Sequence, residues 1–292
     1  MISRARGVCF FFCLWAALVF CRTGFAAQPQ QQMLDFSLSG FGEKGKKSWD
    51  VFGRSADISS EVIKLFDIES TLYGARETVS LTADTGDFDR GRGLLHLKKN
   101  VVVTTASGVT LTTHALDWDE KLRVVVTDEP VQIRRQALTI TGRGAEGLQD
   151  LRLLTVRKDV RVVSRAFGAE KGLLPQETVI TCDGPLTFDY TQNKAIFEND
   201  VLVETPDGTM HSELMDVYLA ASGRSGDRRQ EAGGSIETII ARGDVIVTRG
   251  EDVSHSAEAV YRAAEQRIIL TGRPEIILYP SPSEARGAPT GN

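Results

Sequence analysis

Short runs of alternating apolar and polar residues fill most of the chain, and residues 101–133 show this pattern most clearly. Apolar triplets at Val101–Val103 and Val124–Val126 are separated by threonines, one glycine and a cluster of acidic residues. β-Branched residues dominate the triplets, and such residues favour an extended backbone because their side chains are stiff and pack well on a pleated surface. The pattern predicts three short strands joined by two turns.

The same arrangement of residues returns later in the chain. Val101 and Pro130 are 29 positions apart, and Val245 and Pro274 are separated by the same number. A further copy begins at Val201. Such self-similarity indicates one supersecondary unit that is used repeatedly. We therefore predict an all-β protein built from stacked, repeated units.

Three further segments carry local predictions. Residues 35–73 alternate on both sides of a glycine turn and predict a hairpin followed by a strand. Residues 256–266 have good helix propensity, but their place in the repeat corresponds to a strand and a turn, and we predict the strand. Acidic residues at 84–89 and 117–120 are predicted to lie in turns, where Asp forms local hydrogen bonds.

The first 27 residues predict a targeting segment. Arg4 and Arg6 precede an apolar run, Val8–Phe20, which is shorter than the ~20 residues that a membrane span needs. This length fits the core of a cleaved signal peptide, and an uncleaved membrane anchor is the alternative. Either interpretation places the body of the protein outside the cytoplasm.

Breaks in the strand pattern divide the remainder of the chain. Residues 164–177 lose the alternation and contain glycine and proline, so we predict a boundary there between a module at 35–165 and a module at 178–280. Residues 221–235 are rich in glycine, serine and arginine and predict a mobile surface loop. Residues 281–292 predict a disordered tail.

Charge and cysteine content narrow the possible partners. The formal charge of the chain is −5, and loss of the three arginines in the targeting segment shifts it to −8. This balance argues against nucleic acid as a partner, since phosphate binding needs a clustered basic surface. Only Cys182 lies beyond the targeting segment, so no internal disulfide is expected. We interpret Cys182 as a small buried hydrophobic residue, with a bridge between two chains as the alternative.

The residue patterns favour a protein without a catalytic, metal or cofactor site. The four histidines are scattered along predicted strands without metal-ligand spacing. Gly142, Gly144 and Gly147 have some likeness to a phosphate loop, but neither a following helix nor the required lysine is present. We interpret them as a β-bulge or tight turn. The sequence also lacks the motifs of a serine nucleophile, a Cys–His pair or a nucleotide-binding loop.

The apolar triplets leave a binding function open. In a triplet both faces of a strand are apolar, so one face builds the core while the other is covered or contacts an apolar ligand. The two-residue period alone does not say which face is which. The core is the simpler interpretation, and a sheet-walled groove for a lipid is the functional one. The candidate lipid-binding residues are Val101, Val103, Val201, Val203, Val245 and Val247.

Several short motifs resemble the periplasmic proteins of lipopolysaccharide transport. Residues 48–53 (SWDVFG), with Ile63-Lys64-Leu65 and Tyr73, resemble the opening of the C component, and residues 139–163 resemble its final strands. Residues 178–278 resemble the OstA-like module of the A component. The motifs that carry this second resemblance are Asp183-Gly184-Pro185-Leu186, Asn199-Asp200-Val201, Gly243-Asp244-Val245 and Leu270-Thr271-Gly272.

The resemblance implies an open β-jellyroll of two facing antiparallel sheets in the periplasm, with two stacked modules. It implies a non-enzymatic carrier that holds the acyl chains of lipopolysaccharide between its sheets and joins its partners edge to edge. The implied partners are lipopolysaccharide, the inner-membrane ABC transporter complex, the A component, the outer-membrane translocon and further copies of the chain. The family's C component usually keeps a membrane helix, whereas the targeting segment here is short and resembles a cleavable one.

Two other functions stay open at this point. A parallel β-helix enzyme acting on polysaccharide outside the cytoplasm would need two converging carboxylates and rungs of nearly constant period. The spacings of 100 residues from Val101 to Val201 and 44 residues to Val245 are irregular. A structural envelope or adhesion protein would share the β fold and bind no lipid.

Overall fold

A computed structural model describes residues 32–42, 45–58, 60–74, 77–164, 177–219, 236–265 and 267–279. Within these ranges the chain is almost entirely strand, with one 3₁₀ turn at Ala263–Glu265. No helix in the described part of the chain is long and apolar enough to cross a membrane. The first strands are β1 Gln32–Phe41, β2 Lys47–Asp57, β3 Val62–Tyr73, β4 Thr78–Asp89, β5 Leu94–Thr105, β6 Thr110–Asp119, β7 Val124–Arg135, β8 Leu138–Leu148 and β9 Leu153–Ser164. The others are β10 Thr178–Cys182, β11 Leu186–Asp189, β12 Lys194–Thr205, β13 Gly208–Leu219, β14 Ile236–Arg249, β15 Asp252–Arg262, β16 Arg267–Thr271 and β17 Glu275–Ile277.

The strands form one antiparallel sheet in which each long strand pairs with the next along the chain. The sheet continues from the first half of the chain into the second, because β9 pairs with both β10 and β11. A parallel β-helix is wrong for the described residues, since all their strand pairings are antiparallel. The all-β prediction is confirmed.

A crease runs across the middle of this sheet. The strand register shifts between Lys98 and Val101 in β5 and between Glu198 and Val201 in β12, and most of the other long strands shift at the same level. Asn100 has a φ of 49° there, a left-handed conformation that Asn and Asp tolerate better than most residues. Because bulges bend strands, the aligned shifts fold the sheet into two halves.

The copies of the sequence repeat lie where their strands cross this crease. Val101, Val201 and Val245 each follow a residue with a left-handed φ, namely Asn100, Asp200 and Asp244, and all three valines are fully buried. Each copy of the repeat therefore contributes one bend and the strand segment that follows it. We call the half that contains Val103, Val203 and Val247 half-sheet A, and the half that contains Trp118, Phe188 and Val217 half-sheet B.

The two half-sheets face each other across one apolar core. Trp49 on half-sheet A lies edge-on to two aromatic rings of half-sheet B, with centroids 5.7 Å from Phe88 and 6.0 Å from Trp118. Its indole Nε1 also donates a hydrogen bond to Glu120 Oε1 at 2.7 Å. Farther along the sheet, the guanidinium carbon of Arg135 on half-sheet A lies 4.8 Å from the ring centre of Tyr190, which follows β11. The folded sheet is thus an open jellyroll with two facing antiparallel halves.

The N-terminal hairpin predicted within residues 35–73 is confirmed. β1 pairs with β2, and each strand contributes an aromatic residue opposite a glycine of its partner, Phe36 against Gly53 and Trp49 against Gly40. A Cβ atom at Gly40 would lie 2.1 Å from the Trp49 indole, so the absent side chain leaves the space that the ring fills. β1 begins at Gln32, earlier than the predicted start of the module.

Predictions for three other kinds of segment can be compared with the structure: the segment from residue 256, the glycines at 142–147 and the acidic residues. The segment predicted as strand from residue 256 is strand up to Arg262, and the glycines at 142–147 lie in β8 around a bulge between Thr141 and Arg143. The turn predicted for the acidic residues at 84–89 is wrong, because β4 continues through Asp89 and the turn begins after it. The turn predicted at 117–120 is wrong for 117–119, which end β6, and confirmed for Glu120. Asp89 instead accepts a hydrogen bond from the backbone of Arg92 in that turn.

Several predictions fall outside the described residues. These are the targeting segment at 1–27, most of the module boundary, the loop at 221–235 and the tail at 281–292. The division into modules at 35–165 and 178–280 likewise stays a prediction.

Candidate functional site: apolar ladders between the half-sheets

Half-sheet A carries an unbroken ladder of inward-facing residues that are paired strand to strand. Apart from two serines, every member is apolar. With neighbouring strands ~4.8 Å apart, this ladder extends for roughly 65 Å across the strands. Its members are Leu38, Val51, Ser70, Leu81, Val103, Leu111, Ile133, Ile140, Val162, Ile180, Val203, Met210, Val247, Ser254 and Ile276.

Half-sheet B carries a matching ladder that includes four aromatic residues. Pattern reasoning did not single out these residues as part of the site, although they occupy alternate positions in their strands. Its members are Ile63, Phe88, Leu95, Trp118, Val125, Gly147, Leu154, Phe188, Ala195, Val217, Ile239, Tyr261 and Ile268. The site therefore has two apolar walls.

All six valines predicted from the sequence lie on the inner face of half-sheet A. Val103, Val203 and Val247 belong to the ladder, while the other three form a row beside the crease. Their partners in each triplet, such as Leu202 and Ile246, alternate with them and face outward. The structure thus settles which face of each triplet is inward, and the binding of lipid by these valines stays a prediction.

The inward-facing residues of half-sheet A become more exposed toward the C-terminal end of the sheet, because half-sheet B covers them less there. Val203 is 7% exposed, Val247 is half-buried, and Ile276 on the last strand is 56% exposed. The cause is an offset between the walls, because the β7–β10 part of half-sheet A lies across a cavity from the β11–β13 part of half-sheet B. The last strands of half-sheet A consequently extend beyond the opposite wall, and their apolar inner face is accessible there.

Both ends of the sheet have unpaired edges within the described residues. β1 pairs only with β2, and β16 and β17 pair only with β15. Unpaired edges with exposed apolar side chains are sites at which another strand can add. The exposed apolar residues near the C-terminal edge are Ile268, Ile276, Ile277, Leu278 and Tyr279, and those near the N-terminal edge are Met33, Leu34 and Phe41.

Ion pairs connect neighbouring strands on the outer surface of the sheet. On half-sheet B, Asp216 accepts one hydrogen bond from Arg242 at 3.0 Å and pairs with Lys194 at 3.1 Å. Arg242 also donates a hydrogen bond to Glu258 at 3.1 Å. The hydrogen bond to Asp216 raises the pKa of the Arg242 guanidinium. These groups connect β12 to β15 on the face opposite the apolar ladder, which indicates a structural role.

The described residues contain no cluster of three or more His, Cys, Asp or Glu side chains that could hold a metal ion. Two histidines form single pairs with carboxylates, His96 with Asp117 and His211 with Asp200, the latter at 2.6 Å. Both pairs lie on the exposed outer surface. They are best explained as cross-strand contacts.

Cys182 lies on the inner face next to the crease, opposite Val160 in β9, and is 5% exposed. Its interpretation as a buried small residue is confirmed, and burial raises the pKa of its thiol to about 11. Since the thiolate is the reactive form, a disulfide between two folded chains is disfavoured.

We expect the Cys182 thiol to react with a soluble disulfide reagent at pH 8 at least about tenfold more slowly than a free cysteine, because little thiolate forms. The measurement follows thiol release from a chain starting at residue 28, in buffer and in urea, with Cys182→Ser as the blank. Reaction in buffer as fast as in urea would contradict the buried position.

Comparisons with known proteins place these features in a family. The family of lipopolysaccharide-assembly, LptC-related proteins matches residues 8–165. No curated protein matches the chain at a significant level. Among solved structures, the chain is similar to LptH, the LptA homologous periplasmic component of the conserved lipopolysaccharide transport device from Pseudomonas aeruginosa. That likeness has 12% identity, covers 60% of this chain and 96% of LptH, and has a TM-score of 0.33, too low to support an argument about function. The family match spans more than half of the chain, so the predicted resemblance is confirmed and the chain belongs to the LptC-related family of lipopolysaccharide-assembly proteins.

Proposed function

We propose that this chain is a non-enzymatic periplasmic carrier that holds the acyl chains of lipopolysaccharide between its half-sheets and passes them toward the outer membrane. The observation that carries the proposal is the pair of apolar ladders that face each other across nearly every strand. Membership of a lipopolysaccharide-assembly family supports the choice of lipid.

The energetics favour entry at the C-terminal end. Burial of an acyl chain contributes ~0.8 kcal/mol per methylene, but the inner face from Val103 to Ile180 is already covered by the opposite wall. Entry of a whole acyl chain there requires separation of the half-sheets and loss of their mutual contacts, because the space beside Ile140 and Ile180 is a cavity of only about 70 Å³. At Val247 and Ile276 the inner face is accessible, so acyl chains gain contacts there without that cost.

The two unpaired edges allow partner proteins to join the sheet, so that lipid can pass from one protein to the next. A partner's edge strand can pair with β1 or with β16 and β17 through backbone hydrogen bonds, as in other cases of strand addition. Exposed Ile276 and Leu278 add apolar contact area at the second edge. We propose the inner-membrane ABC transporter complex, the A component and the outer-membrane translocon as the partners, with self-association through the same edges.

Photo-crosslinking tests the location of the lipid. A photoreactive residue at Val247, which faces inward, is expected to capture lipopolysaccharide in cells, and one at Ile246, its outward-facing neighbour, is the matched control. Val203 and Leu202 form a second pair of the same kind. Equal capture at inward and outward positions would contradict a lipid between the half-sheets. Absence of capture at all four, with filament formation by the purified chain, would favour a structural envelope protein.

A further inference from the structure

A cavity of about 70 Å³ lies between the half-sheets where the two halves of the chain meet. Its walls are mostly apolar, with Ile140 and Ile180 from half-sheet A and Phe188, Phe197 and Val217 from half-sheet B. Its polar lining is confined to strand ends, which lie at the open lip of the fold, opposite the crease. The cavity is therefore apolar inside and polar at its mouth.

Two polar groups at this mouth come from opposite walls. Arg135 is the last residue of β7, and Tyr190 directly follows β11. The guanidinium carbon lies 4.8 Å from the Tyr190 ring centre, which is a cation–π arrangement. A guanidinium has five N–H donors, so one that lies beside a ring keeps donors for a further partner.

The Tyr190 hydroxyl is buried, and no described residue accepts a hydrogen bond from it. Burial raises its pKa, and the positive charge of Arg135 and a hydrogen-bonding interaction with its guanidinium oppose that shift. The negative charge of Glu77 also raises the pKa of Tyr190. The Glu77 carboxylate accepts a hydrogen bond from the backbone of Ser107. Buried polar groups in proteins almost always have a partner, so the hydroxyl is a donor whose acceptor is still to be identified.

We propose that Arg135 and Tyr190 form an anion-recognition site, which holds the phosphate or carboxylate of an amphiphile at the lip while the first part of its acyl chain enters the cavity. The inference rests on the proposed carrier function and adds a specificity to it. A guanidinium edge and a hydroxyl together offer several donors to one anion, and charge-assisted hydrogen bonds of this kind are the strong ones. The adjacent apolar walls accept the chain, so the two parts of the ligand match the two parts of the site.

The test compares amphiphiles with the same chain and different head groups. Dodecyl phosphate, dodecanoate and dodecanol are titrated below their aggregation concentrations into the purified chain, and heat is measured. We expect the phosphate to bind about tenfold more tightly than the alcohol, as one charge-assisted contact allows. The dodecanoate arm decides between phosphate and carboxylate as the preferred anion.

Three variants locate the effect. Arg135→Gln and Tyr190→Phe are expected to remove most of the preference for the anion and to weaken dodecanol binding far less than dodecyl phosphate binding. Arg134→Gln is the matched control, because Arg134 is adjacent in β7 and exposed on the other face. Equal binding of anion and alcohol, or a preference that survives Arg135→Gln, would overturn the anion site and leave the carrier function intact. Failure of all three amphiphiles to bind would overturn both.

Discussion

Replacement of Trp49 by alanine is expected to lower the free energy of unfolding by about 3–5 kcal/mol, as for other large buried aromatic residues. Trp49 connects the two walls, since it extends from half-sheet A to Phe88 and Trp118 on half-sheet B. It also fills the space above Gly40 in the neighbouring strand. The substitution removes the packing within the hairpin and the contacts across the fold together.

Urea unfolding followed by circular dichroism measures this effect. Phe52→Ala is the matched control, because Phe52 lies in the same strand but faces outward and is 47% exposed. We expect its cost to be below about 1 kcal/mol, as for exposed positions away from special contacts. Similar losses for both variants would contradict the role of Trp49 as the connection between the half-sheets.

The second large effect is expected on lipid binding. Val247→Asp places a carboxylate on the inner face where acyl chains are proposed to enter, and burial of an unpaired charge against an apolar chain is costly. We expect at least about a tenfold loss of bound lipopolysaccharide, since each 1.4 kcal/mol is a factor of ten. Val247 is half-buried at the less covered end, so the variant should fold.

Ile246→Asp is the control for this effect, because it adds the same charge to the outer face of the same strand. Thermal unfolding of both variants measures any loss of fold. Equal lipid binding by the two variants, at similar thermal stability, would contradict entry along the inner face of half-sheet A.

Much of this fold follows from local sequence pattern. The alternation predicts nearly all the strands, and the repeat identifies the valines that follow three of the bends. The bend itself was not predicted, because Asn199-Asp200 or Gly243-Asp244 between two apolar runs is equally typical of a turn between separate strands. What distinguishes a crease is that neighbouring strands shift register at the same level, and that depends on strand pairing.

Long-range features of the site were harder to predict for a related reason. A two-residue period shows that Val203 and Leu202 face opposite ways, but which of them faces inward depends on how the sheet folds on itself. The contact of Arg135 with Tyr190 joins strands from opposite walls and depends on the offset between them. The error at residues 84–89 arose because Asp is common in turns, whereas here the acidic residues occupy the second half of β4.

The most direct test of the carrier function is native mass spectrometry of the chain purified from the envelope of a host that makes lipopolysaccharide. The carrier function predicts an adduct with the mass of lipid A or larger, which Val247→Asp removes and Ile246→Asp retains. A spectrum with only the bare chain, unchanged after titration with lipopolysaccharide, would contradict it and leave the family resemblance as one of fold.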